Sequence, residues 1–237
     1  MVKKIFFLAL ATSLFGASDE EIISFYKQKL KNAIPDAEIS VLSREKMNEN
    51  YEKIVVNIAA FGENAKEVIF AHGNFLLPDI VDIQKGNFSY RDDFKSQNAQ
   101  VVAKEFESKA LEVLKTEDKI ISIGDTSKPE IFVFSDPECP FCRKHLEGIE
   151  EILKKNRVHF VFVSVHDKSA FEKIALIYNE IKKTKNDTDK LSIIRKYYAN
   201  NVVYNPPKEE DYKEAVALFE KYQKLGLKAV PTIIEKK

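Results

Sequence analysis

The residues best suited to chemistry are two cysteines placed three positions apart. The chain of 237 residues contains only Cys139 and Cys142, within the segment DPECPFCRKH at 136–145. Two thiols at this spacing can exchange with a disulfide of another molecule, because one thiolate attacks and the second resolves the mixed disulfide. A structural disulfide between them would close almost no loop, and loop closure is the main source of disulfide stabilisation. The pair is therefore predicted to be chemical rather than structural.

A metal or haem site is a weaker interpretation of the same residues. His145 follows Cys142 by three positions, but no second Cys/His pair completes a tetrahedral set. Covalent haem needs a histidine directly after the second cysteine, where this chain has Arg143. We therefore predict no metal and no cofactor other than a redox-active Cys139–Cys142 disulfide. We interpret His72 as a turn residue and His159 as a strand residue. His166 is interpreted as a loop residue and His145 as a solvated helix residue.

The strand and helix predicted around the cysteines would give the two thiols different surroundings. EIFVFS at 130–135 predicts a buried strand, and a helix is predicted to begin at the cysteines. Pro140 suits the first helical turn, and the positive end of the helix stabilises a thiolate on Cys139. Cys142, one turn later on the packed face, is predicted to be shielded and to resolve the mixed disulfide. Phe141 adds apolar surface beside the reactive sulfur.

The second half of the chain alternates strands and helices, which indicates an α/β domain. The helix from the cysteines is predicted to continue to Leu153. Further predicted elements are a strand at 158–165, a helix opened by a Ser169/Glu172 capping box, a helix at 189–199, a helix capped near Gly226 and a strand at 232–234.

The first half predicts a smaller α+β unit followed by a long helix. Its predicted elements are a helix opened by a Ser18/Glu21 capping box, strands at 51–61, 66–71 and 75–83, a hairpin turn at Gly73-Asn74 and a helix at 93–116. This helix and small antiparallel sheet offer too little material for a large core of their own.

The N-terminal residues have the layout of a secretory signal. Residues 1–17 read MVKKIFFLALATSLFGA, with two lysines, a short apolar run and small residues at the end. The apolar run is too short to span a bilayer, so we predict that this segment directs export. The formal net charge is zero, which gives no support for a nucleic-acid partner.

Two motifs resemble a known family. SDPECPFC after a strand, and LGLKAVPTII far downstream, resemble the thioredoxin-fold periplasmic disulfide oxidoreductases. The order of parts resembles the DsbC/DsbG disulfide isomerases, although motif-level similarity is confined to 131–146 and 225–234. The resemblance implies a thioredoxin-like α/β domain with a helical insertion, preceded by a small α+β dimerisation domain and a linking helix. The implied division is signal peptide 1–17, dimerisation domain 18–92, linking helix 93–118 and catalytic domain 119–237.

The resemblance also implies roles for individual residues. Cys139 would be the nucleophile, Cys142 the resolving cysteine and Pro231 a cis-proline beside them. Val230 would offer its backbone N–H and C=O to an extended substrate segment. The implied substrate-binding residues are Pro140, Phe141, Val230 and Pro231.

Three features of the chain are compared with the family pattern, and of these only Val230 bears on the direction of the reaction. Val133 occupies the position where many relatives have a buried acid, as in the isomerase branch, whereas Val230 is the valine typical of the oxidase DsbA. The chain ends at Lys237, before the last strand and helix expected of the fold. We expect a thiol–disulfide oxidoreductase that isomerises or forms disulfides in exported proteins. A DsbA-like dithiol oxidase and a non-enzymatic chaperone or metallochaperone are the alternatives.

The same resemblance implies the partners. These are exported proteins with cysteines, a membrane redox partner and a second copy of the chain in a homodimer, with no nucleic acid.

Overall fold

The computed structural model describes residues 16–236. The predicted signal peptide, 1–17, therefore lies outside the described residues except for its last two positions. The chain forms two units, and the division between them falls after Gln100. Over residues 16–236, no helix is both long enough and apolar enough to cross a membrane.

The first unit is an antiparallel sheet with one helix. Its elements are α1 (Asp19–Leu30), β1 (Glu38–Lys46), β2 (Glu52–Ala60), β3 (Glu63–His72), β4 (Phe75–Leu77), β5 (Val81–Asp82) and β6 (Phe88–Ser89). The strands follow the order β1–β2–β3–β4, and β5 and β6 pair separately. A long helix, α2 (Tyr90–Leu114), continues past the division between the units.

Helix α1 begins at the predicted capping box. The backbone N–H of Glu21 donates to Ser18 Oγ at 3.2 Å, and the N–H of Ser18 donates to the Glu21 carboxylate at 2.7 Å. Ile22 and Tyr26, one turn apart, are buried in a cluster with Ile54 of the sheet. Burial of each such side chain stabilises the unit by about 2 kcal/mol, so this apolar stripe holds the helix on the sheet.

Two features of this sheet differ from the sequence prediction. Strand β1 was not predicted, because Ile39 is its only buried residue and an exposed strand has little apolar alternation. The predicted strand at 75–83 is divided into β4 and β5, with Pro78 immediately after β4. The predicted hairpin turn at Gly73-Asn74 is confirmed, since His72 pairs with Phe75 across it.

The second unit is an α/β domain with a mixed sheet. Its remaining elements are β7 (Ile121–Ile123), β8 (Glu130–Ser135), α3 (Pro140–Glu147), α4 (Ile149–Leu153), β9 (Arg157–Phe162), α5 (Lys168–Ile181), α6 (Asp187–Tyr198), α7 (Glu209–Leu225) and β10 (Thr232–Glu235). The strand order is β10–β8–β9–β7. The central pair β8 and β9 is parallel, and both edge strands are antiparallel to their neighbours.

The central strands carry the core of this unit. All residues of β8 from Ile131 to Ser135, and all of β9 from Val158 to Phe162, are buried. Continuous burial of this kind belongs to strands that are covered on both faces. Helices α5, α6 and α7 form the predicted helical insertion between β9 and β10, and Gly226 ends α7 in the left-handed conformation, as predicted.

Two local predictions in this unit are wrong. The single helix predicted from the cysteines to Leu153 is divided at Gly148 into α3 and α4. The capping box predicted at Ser169 and Glu172 does not form, since Asp167 is the N-cap of α5. The Ser169 hydroxyl donates instead to Glu138, 31 positions earlier, at 2.8 Å. This hydrogen bond to a distant carboxylate therefore replaces the capping bond that was predicted within the helix.

Candidate active site

The two cysteines lie at the turn from the central strand β8 into helix α3. Cys139 is the N-cap of α3 and Pro140 occupies its first turn. The backbone N–H of Cys139 donates to the carbonyl of Asp136 at 3.2 Å, which closes the turn. Both thiols are free in this structure. The strand therefore carries a thiol directly to the positive end of a helix.

The two sulfurs have different surroundings. Cys142 has no exposed surface, while Cys139 is 5% exposed. Burial raises the pKa of the Cys142 thiol to about 12, although the Asp136 N–H, 3.4 Å from its sulfur, acts in the opposite direction. Cys142 is therefore protonated at neutral pH, and the shielding predicted for it is observed.

The loop before β10 brings a third element to the cysteines. The Val230–Pro231 peptide bond is cis, as the resemblance implies. The Cys139 thiol donates to the Val230 carbonyl oxygen at 3.5 Å, across 91 positions of sequence. Residues from both motifs of the sequence analysis thus meet at one sulfur.

Apolar surface lies next to this contact. Phe141, between the cysteines, is 73% exposed, and Pro140 is also exposed. Large exposed aromatic side chains commonly mark interaction surfaces. The nearly covered Cys139 sulfur therefore has an apolar patch beside it, formed by the two residues that separate the thiols.

A buried carboxylate under the turn was not predicted. Asp136 has no exposed surface, and its Oδ2 accepts hydrogen bonds from Ser164 Oγ at 2.8 Å and from the Val165 N–H at 3.0 Å. The same oxygen lies 2.8 Å from His166 Nδ1, and Oδ1 accepts from the Glu138 N–H at 2.8 Å. These bonds tie the cysteine turn to the chain after β9. The one signal in the sequence is an aspartate directly after an apolar strand.

A second unpredicted pair lies beside Cys139. Lys173 of α5 is buried and its ammonium group is 2.7 Å from the Glu138 carboxylate. Burial alone would raise the pKa of Glu138, but hydrogen bonds from Lys173 and Ser169 outweigh it and hold the pKa below its ordinary value. The ion pair fixes the residue directly before Cys139 to the helical insertion.

His145 differs from its interpretation, whereas His159 lies in strand β9 and His166 in the loop after it, as interpreted. His145 is not a solvated helix residue, because both of its ring nitrogens are enclosed without a hydrogen-bond partner. Burial lowers its pKa. His159 faces neighbours, with Nδ1 2.7 Å from Ser122 Oγ and its ring stacked on Phe132. His72 packs edge-on against a tyrosine ring. Within the described part of the chain, no group of three or more potential ligands could hold a metal ion.

Comparisons with known proteins agree with this arrangement. A family profile described as a thioredoxin-like domain matches residues 116–236, just over half of the chain. No curated protein sequence matches.

Solved structures extend the comparison to both units. DsbG of Helicobacter pylori is similar at 22% identity with a TM-score of 0.52, over 92% of this chain and 100% of that chain. A linker-deletion variant of Proteus mirabilis ScsC matches at 12% identity and a TM-score of 0.48, over 61% of this chain and 77% of that chain. Since the family profile covers the strand, the cysteine helix, the insertion and the cis-proline loop, the chain belongs to the thioredoxin-like domain family.

Proposed function

We propose that this protein is a thiol–disulfide oxidoreductase that isomerises or forms disulfide bonds in exported proteins. One observation carries the proposal: a thiol at the start of a helix, a second buried thiol one turn later and a cis-proline loop all meet at the Cys139 sulfur. A purely structural disulfide would not need these elements around its sulfur. At this spacing it would also constrain the unfolded chain very little.

Cys139 is the nucleophile in this proposal. Its thiolate attacks one sulfur of a client disulfide, a Cys139–client bond forms, and the other client sulfur leaves with the electron pair of the broken bond. In isomerisation, a second client thiolate attacks the client sulfur of the Cys139–client bond, a new disulfide forms within the client, and Cys139 leaves as a thiolate with the electron pair. The raised pKa of Cys142 supports this division of roles, because the protonated thiol is the poorer nucleophile.

The substrate segment binds as an extended strand beside the cis-proline loop. The Val230 carbonyl already accepts a hydrogen bond from Cys139, so a client backbone placed there lies close to the reacting sulfur. Phe141 and Pro140 offer apolar surface to the side chains that flank the client cysteine. Pro231 shapes the loop that carries Val230.

The choice between isomerase and oxidase depends on the first unit. We propose that residues 18–92 join two copies, so that two sites hold a misfolded client through successive exchanges. Edge strand β4 exposes Phe75, and the single 3₁₀ turn between β5 and β6 exposes Ile83, both by more than 70%. Exposed apolar side chains on an unpaired sheet edge favour association with a second copy.

A DsbA-like oxidase is the second candidate. Val230 before the cis-proline and Pro140 between the cysteines both favour it, as stated in the sequence analysis. Either reaction requires a partner that resets the cysteine pair, and we propose a membrane redox protein for that role. Either also places the protein in the periplasm, since 1–17 has the layout of a signal peptide.

Two parallel assays test the proposal. The protein is added to ribonuclease with scrambled disulfides, and its oxidised form is added to a reduced client protein. We expect recovery of ribonuclease activity by an isomerase and rapid client oxidation by an oxidase. Cys139→Ala should abolish both activities, whereas a chaperone would keep its effect in that variant. Failure of the unaltered protein in both assays would contradict the proposal.

A further inference from the structure

The main chain of Asp136 contacts both cysteines. Its N–H donates a hydrogen bond to the Cys142 sulfur at 3.4 Å, and its carbonyl oxygen accepts the N–H of Cys139 at 3.2 Å. Asp136 and Cys142 are both fully buried. The hydrogen bond to the buried sulfur therefore depends on how the Asp136 peptide group is held.

Four donors hold the side chain of Asp136. Oδ2 accepts hydrogen bonds from Ser164 Oγ at 2.8 Å, from the Val165 N–H at 3.0 Å and from His166 Nδ1 at 2.8 Å. Oδ1 accepts the N–H of Glu138 at 2.8 Å. A carboxylate has no proton to donate, so each of these groups acts as the donor. Three of the four donors belong to consecutive residues shortly after β9.

Ser164 is the central group of this anchor. It has no exposed surface, and its hydroxyl oxygen also accepts the N–H of His166 at 2.9 Å. One residue earlier, the N–H of Val163 donates to the carbonyl of Ser135 at 3.0 Å. The anchor thus continues the hydrogen bonding between the two central strands and fixes the Asp136 peptide group, which directly follows β8.

A donor held against a buried sulfur matters most when that sulfur is charged. A neutral thiol is a weak acceptor, whereas hydrogen bonds to ionised groups are about twice as strong as those between neutral groups. Burial opposes the charge, since it raises the pKa of Cys142 to about 12. A fixed backbone N–H offsets part of that effect without adding another ionisable group.

We infer that the Asp136 carboxylate, through its bonds to Ser164 and His166, holds the Asp136 N–H on the Cys142 sulfur and so stabilises the thiolate that forms there during thiol–disulfide exchange. The inference rests on the proposed function, and it names the group that assists the resolving thiol. Asp136 touches the reacting sulfur through its N–H. Ser164 and His166 act through Asp136 and are positioning residues.

The assisted step balances in both directions. In the resolving direction, Cys142 loses its proton to water, and its thiolate attacks the Cys139 sulfur of the mixed disulfide. The Cys139–Cys142 bond forms, the Cys139–client bond breaks, and the client sulfur leaves with the electron pair. The Cys142 sulfur is oxidised and the client sulfur is reduced. In the reverse direction a client thiolate attacks Cys139, and Cys142 is the leaving thiolate that the N–H stabilises.

Other ionisable groups act on the same sulfur. Cys139, on the same helix, disfavours the Cys142 thiolate. Tyr198 of α6 interacts electrostatically with Cys142 and with the Asp136 carboxylate. The variants used below alter neither Cys139 nor Tyr198.

Two charged groups adjoin the anchor itself. The Glu138 carboxylate is paired with Lys173 of α5 at 2.7 Å. His166 donates to Asp136 through Nδ1 both as the neutral tautomer that carries the proton there and as the cation. The bond to Asp136 therefore survives protonation of His166, and the pH profile described below reports on Cys142.

Ser164→Ala tests the anchor with the least disturbance, because it removes one oxygen. Asp136→Asn is the second test variant, since its amide replaces one acceptor by a donor. The matched control is Glu117→Gln. The Glu117 side chain is 3% exposed and accepts hydrogen bonds from Lys221 and Tyr222, which lie outside the cysteine turn.

The first readout is the release of glutathione from the protein that carries a Cys139–glutathione mixed disulfide, measured between pH 7.5 and pH 9.5. We expect release to slow about threefold to tenfold in both test variants, by the same factor at each pH, and to be unchanged in the control. The rate falls by less than the population of thiolate, because a less stabilised thiolate is the stronger nucleophile.

A purely structural role of the anchor predicts the opposite result. If the anchor only packs the turn, its loss admits water around Cys142 and relieves the effect of burial. The pKa of Cys142 then falls toward the ordinary cysteine value of about 8.5. Release of glutathione would become faster and would level off within the range of pH that is measured.

The second readout does not depend on the proposed function. It is the hydrogen exchange of the Asp136 N–H, followed by NMR in a Cys139→Ser background in which no disulfide exchange can occur. We expect Ser164→Ala to raise this exchange rate at least about tenfold. The exchange of the Val163 N–H, which bonds the carbonyl of Ser135, should remain unchanged.

The outcomes separate the inference from the proposed function. Unchanged or faster release of glutathione in either test variant would overturn the inference, and so would equal slowing in Glu117→Gln. If the unaltered protein never releases glutathione, the proposed function fails. The exchange measurement then decides the inference by itself, since unchanged exchange of the Asp136 N–H in Ser164→Ala would show that the anchor does not hold the donor.

Discussion

The two cysteines differ in burial, and that difference has a measurable consequence. Cys139 begins a helix and is slightly exposed, whereas burial raises the pKa of Cys142 to about 12. We expect only one alkyl group to be incorporated quickly into the reduced protein near pH 7, at Cys139. Peptide mapping after brief alkylation measures this. Fast modification of Cys142 would reverse the assignment of the nucleophile.

Trapping of client proteins provides an independent check of the same assignment. Cys142→Ala should accumulate mixed disulfides with exported proteins, because nothing within the protein then resolves them. Cys139→Ala should accumulate none. Non-reducing electrophoresis distinguishes the two variants.

His145 predicts a dependence of stability on pH. Burial holds its pKa below 6.5 in the folded protein, so the unfolded chain binds a proton first as the pH falls. The free energy of unfolding should therefore decrease as the pH is lowered from about 6.5 through the folded-state pKa. His159, whose pKa is also lowered mainly by burial, contributes with the same sign.

The variant His145→Gln should lose part of this dependence. Urea denaturation at pH 5 and pH 7.5 measures the difference between the two free energies of unfolding, which we expect to be smaller in the variant. The range above pH 4.5 avoids the titration of most carboxylates. An unchanged difference would mean that His145 takes up a proton in the folded protein without cost.

The residues that sequence reasoning identified share one property. Cys139, Cys142 and Pro231 belong to short motifs in which neighbouring residues define the chemistry. Asp136 and Lys173 were missed because their partners are distant in sequence: Asp136 bonds Ser164 28 positions later, and Lys173 pairs with a residue 35 positions earlier. No local pattern encodes such pairs, which exist only once β8, β9 and α5 have packed together.

At the scale of elements, the short helix α4 packs closely against the turn after β7. Gly124, in that turn, has φ +103°, and a Cβ there would lie 2.9 Å from Leu153 Cδ2 of α4. Its N–H donates to the carboxylate of Asp187, at the start of α6, at 2.8 Å. The left-handed backbone conformation therefore favours glycine at this position, and a Cβ would also displace the end of the Leu153 side chain.

Gly124→Ala should destabilise the protein more than Gly226→Ala. Gly226 has a similar φ of +110°, but a Cβ there meets its nearest neighbour at an ordinary 3.9 Å. Both variants share the backbone strain, so the difference of about 1 kcal/mol or more that we expect measures the collision with Leu153. Urea denaturation provides both values. Equal losses would show that Leu153 moves aside freely.

Some secondary-structure elements were predicted correctly from the sequence and others were missed. Strand β8 was identified because a short, continuous apolar run is typical of a buried strand. Strand β1 was missed because most of its residues are exposed. The break at Gly148 was missed because the apolar face continues through it from Leu146 to Ile149. Periodicity thus predicts what is buried better than where a helix is interrupted.

At the scale of the whole molecule, the proposed dimer is the main open prediction. Light scattering of the mature protein at micromolar concentration should give twice the chain mass. A shortened chain that begins at Lys119 should be monomeric, because it lacks the unit proposed to pair. A monomeric mature protein would contradict the dimer and favour the oxidase.

Single substitutions can locate the interface. Phe75→Asp and Ile83→Asp would each bury an unpaired charge in the proposed interface, and we expect the dimer to weaken at least about tenfold in each. Val203→Asp is the control, since Val203 is 94% exposed in the second unit. Equal association of all three variants would exclude this surface.

The presence of only two cysteines, both in one helical turn, limits the covalent forms that the protein can adopt. A single intrachain pairing exists, so a folding chain cannot cross-link itself wrongly and needs no catalyst to choose its own bond. Every larger covalent species must contain a second molecule. A slow band on a non-reducing gel therefore contains a second molecule, which under the proposed function is a captured client.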